Sequence, residues 1–499
     1  MKTKLLYIFL ATASISVGVL AHQHFSQVTD FKKAVSTTFK ASTNTQEAVI
    51  FDLNTVPTLL SASNTVSNSR LARLILPKPY TQLLQVIVKY QSDIETVLNQ
   101  LTTQPQKWII IFQNSNEIRA MGGFMGSYAI IDINQGKIIS ITTEDIYDAD
   151  GQFSGFVVAP PGVAEYLSSG NGLRLPDANW YADTKKSSQQ ILHFFALGNK
   201  QNVSGIIFVN LDFAKALLDF IGPVEIHDYN TVVTSENIDE VLRSRRSDFF
   251  PGSTQKKHML SQLLTQVRIQ LVQTNPEKIL KLMTLVGNQI ALNNLQFYSN
   301  NQDIDSIFTK YHMRQELLAS TQNDYLYFIE SNVGINKANK NIERRIEISK
   351  DQNNRTITAY FTNHNTQPTT SKLTEVLEVS QTDLYQDTNH LAYINYQRVL
   401  VPENWNLQSI TQEGNSIKDF HQETITTQND VSLKQIGFLS IVQEAETSVI
   451  SLEFTTQSTA DSIYIQKQPG VPATNYLVRN LDQSKSTTIE KNTLIQYPL

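Results

Sequence analysis

Three stretches of the 499-residue chain concentrate the side chains able to do chemistry. In the first, QNSNEIRAMGGFMGSYAIIDINQGKI (Gln113 to Ile138), Glu117 and Arg119 stand just ahead of Gly122, Gly123 and Gly126. Glycines there let the backbone approach a ligand, or another chain segment, closely. The pattern is not a phosphate-cradling loop, since no Gly-Lys-Ser/Thr follows, nor the dinucleotide fingerprint, since the next run reads as a strand. A tight turn with an internal Glu117–Arg119 ion pair is the plain alternative to a site. The second stretch, LPDANWYAD, sets Asp177, Asn179 and Asp183 around a Trp just before a helical pattern, where either Asp also suits a helix N-cap. The third, VLRSRRSDFFPGSTQKKHML, gathers Arg243, Arg245, Arg246, Lys256 and Lys257 around Asp248 and a Pro-Gly turn. Guanidinium forks match phosphate and pyrophosphate oxygens, although such charge runs also serve as solvated faces.

Other chemistries are excluded by what is missing. With no Cys there is no disulfide, thiol nucleophile or Cys-ligated metal. No HExxH or GxSxG occurs and the nine His are scattered, which argues against a zinc hydrolase and an α/β-hydrolase. A net charge of −5 argues against a nucleic-acid binder, which needs a Lys/Arg surplus on one face. Hydrophobic residues at 40% and aromatic residues at 9% support globular cores.

These residues need elements to position them. Lys2 and Lys4 precede an uncharged run, Leu5 to Ala21, so residues 1–22 read as a signal peptide or membrane anchor, with everything after His22 extracytoplasmic. Residues 23–104 read mostly as helix, a stalk or a helical layer of the main domain. WIIIF (Trp108 to Phe112) opens a sheet, with strands expected at Ser127–Ile133, Lys137–Thr142 and Ser204–Leu211 and a tight hairpin turn at Asn134-Gln135-Gly136. Helices are expected at Lys185–Leu197, Asp212–Ile221, Ser235–Arg245, Gln255–Val272 and Pro276–Asn293. The alternation predicts a central α/β layered domain over 105–325. From Glu343 short alternating segments predict an antiparallel, sandwich-like β module over 343–499. The fold class expected is thus α+β multidomain.

Four segments in order carry a resemblance: NSNEIRAMGGFMGSYAIIDINQGKI, LPDANWYADTKKSSQQILHFF, GIIFVNLDFAKALLDFIGPVEI with VTSENIDEVL, and NVGINKANKNIERRIEIS. Together they resemble the bacterial domain-of-unknown-function family numbered 4012, which implies a cell-envelope protein of unestablished activity with a helical N-terminal part and a β-rich C-terminal part. The core is also similar, more weakly, to the LytR-CpsA-Psr phosphotransferases, which move glycopolymers from polyprenyl-pyrophosphate carriers to peptidoglycan. That similarity implies that Arg119, Arg243 and Arg245 face a pyrophosphate, with Lys256 where a further Arg is usual and Asp145 in the segment that reads Pro-Arg-Asp in that family. Here Thr143-Glu144 replaces Pro-Arg, and Met121 stands where an acid is expected.

The functional expectation is a surface-tethered protein that binds lipid-linked pyrophosphate and transfers glycopolymer, with Glu117 or Asp145 placing a Mg²⁺ ion beside the phosphates. Its partners would be the membrane, through the N-terminal segment, and polyprenyl-linked glycan or peptidoglycan. The alternative is a non-catalytic extracytoplasmic module that binds glycan or protein, or is purely structural.

Overall fold

The computed structural model describes residues 23–39, 53–200, 202–242, 254–272, 275–366 and 391–498. The expected leader, 1–22, and the basic residues Arg243, Arg245 and Arg246 lie outside them. Among the described residues no helix is long and apolar enough to cross a membrane.

The architecture is mixed α/β. The central sheet contains β1 (Gln106–Asn114), β2 (Phe124–Asn134), β3 (Lys137–Asp145) and β4 (Gly205–Asn210). Past the small hairpin β5 (Val224–Ile226) and β6 (Thr231–Val233) comes its fifth strand, β7 (Leu295–Ser299), and the order is β3-β2-β1-β4-β7. Only β1 and β4 run parallel. The β2–β3 turn has left-handed φ at Gln135 (49°) and Gly136 (72°), as a tight two-residue hairpin requires. Helix Thr184–Leu197 covers one face, packing Ile191, Phe194 and Phe195 on Ile109, Ile111 and Phe208. Helices Gln91–Thr103 and Gln302–Lys310 cover the other around Trp108, Ile304 and Phe308.

The N-terminal helices pack as a layer on this unit. Ile279, from helix Pro276–Ala291, is part of their core, and Lys310 Nζ reaches Asp93 at 2.8 Å. The expected helix from Ser235 is described only as the single turn Ile238–Val241.

The C-terminal region is a two-sheet sandwich, and its strands start before the expected boundary. β8 (Asp324–Asn332), buried at every residue, is a central strand. The others are β9 (Ile342–Asp351), β10 (Asn354–Asn363), β11 (Tyr393–Pro402), β12 (Asn406–Gln412), β13 (Asn415–Ser416), β14 (His421–Thr426), β15 (Ser432–Val442), β16 (Thr447–Thr455), β17 (Ser462–Gln466), β18 (Thr474–Asn480), β19 (Gln483–Ile489) and β20 (Thr493–Gln496). They form sheets of order β13-β12-β16-β10-β9-β18-β19 and β14-β15-β11-β8-β17-β20, mostly antiparallel, with β17–β8 and β18–β9 parallel. Phe328, Val399 and Ile465 from one sheet meet Ile348, Phe361 and Leu452 from the other. Tyr327, Ile329 and Leu400 face instead toward Ala120, Ala182 and Leu317, so β8 and β11 are buried on both faces. A strand covered twice reads as a continuous apolar run without alternation, which is why DYLYFIESN did not announce a sandwich strand.

Candidate functional site at the carboxyl edge of the central sheet

β1 and β4 both end at the same edge, where a doubly covered sheet leaves its loops. The loop after β1, 115–123, carries the glycine motif, and its backbone carbonyls are taken up by donors from far along the chain. Asn339 Nδ2 donates to Ser115 O (2.6 Å), the Asn332 amide to Ile118 O (3.0 Å), Gln468 Nε2 to Arg119 O (3.1 Å), Gln296 Nε2 to Met121 O (3.2 Å) and Asn179 Nδ2 to Gly123 O (2.8 Å). Gly123 has φ 146°, and a Cβ there would stand 2.4 Å from the Asn114 carbonyl. Across from Gly122 is Gly470 of the β17–β18 loop, whose own Cβ would meet Gly122 O at 2.3 Å. The close approach that the glycines permit is therefore to another chain segment.

Arg119 is the hub. It is 1% exposed, with Nε 3.2 Å from Asp177 Oδ1 and Nη2 3.4 Å from Glu117 Oε1, while Nη1 donates to the carbonyls of Ile118 (3.1 Å) and Asn332 (2.5 Å). Burial raises the Asp177 carboxyl, and the guanidinium opposes that shift. Of the residues singled out in the sequence, Glu117, Arg119 and Asp177 thus come into contact, and Asn179 joins them at Gly123.

Asp145 lies at the same edge as the cap of helix Ile146–Asp150. Its Oδ1 accepts from Tyr147 N at 3.1 Å and Asp148 Oδ2 accepts from Asp145 N at 3.0 Å, a reciprocal capping box. Tyr147 is 43% exposed, and its hydroxyl is pushed up to about 12 by burial first and then by the charges of Asp177, Glu117 and Asp145, against Arg119. On the next residue, Asp148 Oδ2 holds Lys257 Nζ at 2.7 Å, and Thr143 Oγ1 donates to Lys257 O at 3.0 Å. Helix Thr254–Val272 therefore brings the end of the basic segment to the acidic corner; the side chain of Lys256 lies outside the described residues. Asp183 stays apart and caps helix Thr184–Leu197 through Lys186 N at 2.9 Å.

Sequence reading missed Tyr147 and Gln468, which have no motif around them, and assigned no role to Asn332, the first residue of the NVGINKANKNIERRIEIS segment. It quoted Gln113, just before the glycine loop, and Ser115 and Asn116, within it, but gave them no role, and the Gln113 amide, Ser115 Oγ and Asn116 Nδ2 are buried with no hydrogen-bond partner among the described residues. A polar QNSN run directly after an apolar strand was the available signal. Among the described residues no three Asp, Glu or His side chains gather to hold a metal ion.

Residues 103–246 match the family model "Protein of unknown function (DUF4012)". The matched span contains the glycine loop, the Asp145 corner and Asp177. No curated protein matches the chain. Among solved structures, protein gbs0355 of Streptococcus agalactiae is similar at 14% identity and TM-score 0.29, over 43% of this chain and 76% of that one. A transcriptional regulator of Enterococcus faecalis, EF0465, gives 11% identity and TM-score 0.26 over 43% and 73%. The transcriptional regulator yvhJ of Bacillus subtilis gives 9% and 0.23 over 42% and 76%.

Proposed function

We propose that this is an extracytoplasmic protein of the cell envelope whose α/β unit binds a lipid-linked pyrophosphate at the carboxyl edge of β1 and β4. The observation that carries the reading is the Lys257–Asp148 pair at 2.7 Å, which ties the basic segment to the edge that also holds Arg119 and Asp145. In the LytR-CpsA-Psr-like reading Arg243, Arg245 and Lys256 contact the phosphates. Arg119 acts differently: its donors serve Asp177, Glu117 and two carbonyls, so it positions the loop and does not meet the ligand. The described residues do not fit a Mg²⁺ centre, because Glu117 is held by Arg119 and Asp145 is spent on its cap. Glycopolymer transfer therefore has no step assigned to Mg²⁺ here, and binding is the part of the activity proposed.

A second reading, a module for glycan or protein without phosphate chemistry, is favoured by the internal engagement of Arg119. Titrating a polyprenyl-pyrophosphate analogue into wild type, Arg243→Ala and Arg243→Lys separates the two. Binding predicts a loss of about tenfold to a hundredfold for Ala, matching roughly 1.5–3 kcal/mol for a charge-assisted bond, with partial recovery for Lys, which lacks the fork. Equal affinity in all three, with folding intact, removes Arg243 from the site. No binding by wild type supports the second reading.

A further inference from the structure

Within the helical layer, helix Arg70–Ile75 ends in an apolar tip. Ser69 caps it, with Oγ accepting from Ala72 N at 3.1 Å, and Ala72 and Leu76 turn inward. Leu71, Leu74 and Ile75 turn outward, exposed over 56%, 81% and 41% of their surfaces. Around them stand Arg70, Arg73 and Lys78, all exposed. From Leu53 to Ser92 the sequence has four basic residues and no Asp or Glu, in a chain whose net charge is −5. The place of the tip is set by a second contact of its cap: Ser69 Oγ lies 3.0 Å from His24 Nδ1, in the helix over 23–39. His24 follows the uncharged run Leu5 to Ala21 almost directly. The tip is thus beside the point where the chain leaves its most apolar stretch.

We propose that this tip docks on an anionic lipid bilayer, with Leu71, Leu74 and Ile75 dipping into the boundary between headgroups and acyl chains and Arg70, Arg73 and Lys78 meeting lipid phosphates. Large apolar side chains ringed by cations suit that interface. A second copy of the chain fits less well, since two such tips would bring like charges together. The docking leans on a membrane-proximal location and is independent of pyrophosphate binding.

Because the chain has no Cys, Leu74→Cys in the full chain gives one site for an environment-sensitive fluorophore, and Leu481→Cys, at a position 65% exposed in the sandwich, gives a distant control. Both are mixed with phosphatidylglycerol or phosphatidylcholine vesicles carrying brominated acyl chains. The label at 74 should be quenched severalfold more than the label at 481, and more with phosphatidylglycerol. Adding Arg70→Gln and Arg73→Gln should lower tip insertion roughly twenty-five-fold, from about fivefold per cation at an anionic surface. Equal quenching at the two positions overturns the proposal. So does a fluorescence shift at 74 that grows with protein concentration without vesicles, which would assign the tip to a second copy. Pyrophosphate titration in solution reads the other proposal alone, so failure of one leaves the other standing.

Discussion

Arg119 and Asp177 are 58 residues apart and meet at 3.2 Å, joining the loop after the first strand of the central sheet to the turn before helix Thr184–Leu197. Glu117, Asn332 O and Gln468 complete the junction. A buried guanidinium with both carboxylates and two carbonyls in place is a staple between the α/β unit and the sandwich.

Replacing Arg119 by Ala should therefore act on stability first. It leaves Glu117 and Asp177 without their cation, and breaking a buried pair on one side costs about 3–5 kcal/mol. Equilibrium denaturation of Arg119→Ala and of Arg119→Ala with Asp177→Asn checks this, and the second change should recover part of the loss. A cost within about 0.5 kcal/mol, the level of ordinary surface substitutions, would mean that the junction holds nothing together.

The glycine loop predicts a contrast between positions. Gly123→Ala places a Cβ 2.4 Å from backbone at φ 146° and should cost at least about 2–3 kcal/mol, because neither clash nor strain can relax into a side chain. At Gly414 φ is also positive, 76°, but nothing lies within 4 Å, so Ala there should cost about 1 kcal/mol. Thermal melts of the two variants test the difference, and similar melting points would refute it.

The sandwich should need β8. Asp324 and Glu330 on that strand pair with Arg355 and Arg344 of the opposite sheet at 2.9 and 2.7 Å, and β8 separates β11 from β17. A fragment of residues 343–499 leaves two buried arginines unpaired, at a cost of about 3–5 kcal/mol each, and should show no cooperative melt, whereas 320–499 restores both pairs. A sharp melt with β-type circular dichroism in the shorter fragment would count against this.

Lys467 should make stability rise with pH. It is buried, with Nζ donating to the carbonyls of Gln468 and Val471. Its amine is pulled down to about 7 by burial first and then by Arg344, against Glu330 and Asp212. The unfolded chain holds this proton up to about pH 10.5 while the folded chain releases it near 7, so between these values the unfolded state binds more protons. Stability then increases with pH by at most about 1.4 kcal/mol per unit, and this contribution is flat below 7. Denaturant titrations from pH 7 to 9 should show the slope in wild type and lose it in Lys467→Met. An identical slope in both would assign it to other groups.

By itself the sequence determined the elements whose signal is local. WIIIF reads as buried strand from apolar continuity, Asn134-Gln135-Gly136 reads as a hairpin because glycine and its neighbour tolerate left-handed φ, and Asp183 reads as a cap because its carboxylate reaches an amide three residues on. The Glu117–Arg119 pair was also legible, being two residues apart. Tertiary structure alone decided the rest. Gly122 faces Gly470, and Arg119 donates to Asn332 O, 213 residues away. β8 shows only the short run Tyr325–Ile329, apolar without alternation, until the layers on both its faces are in place. Local signals reflect backbone preferences and hydrogen bonds made within a few residues, whereas the partner of a buried charge is chosen by which distant elements exclude water together. That choice places the glycine-rich, Arg-bearing loop at the junction between two parts of the fold.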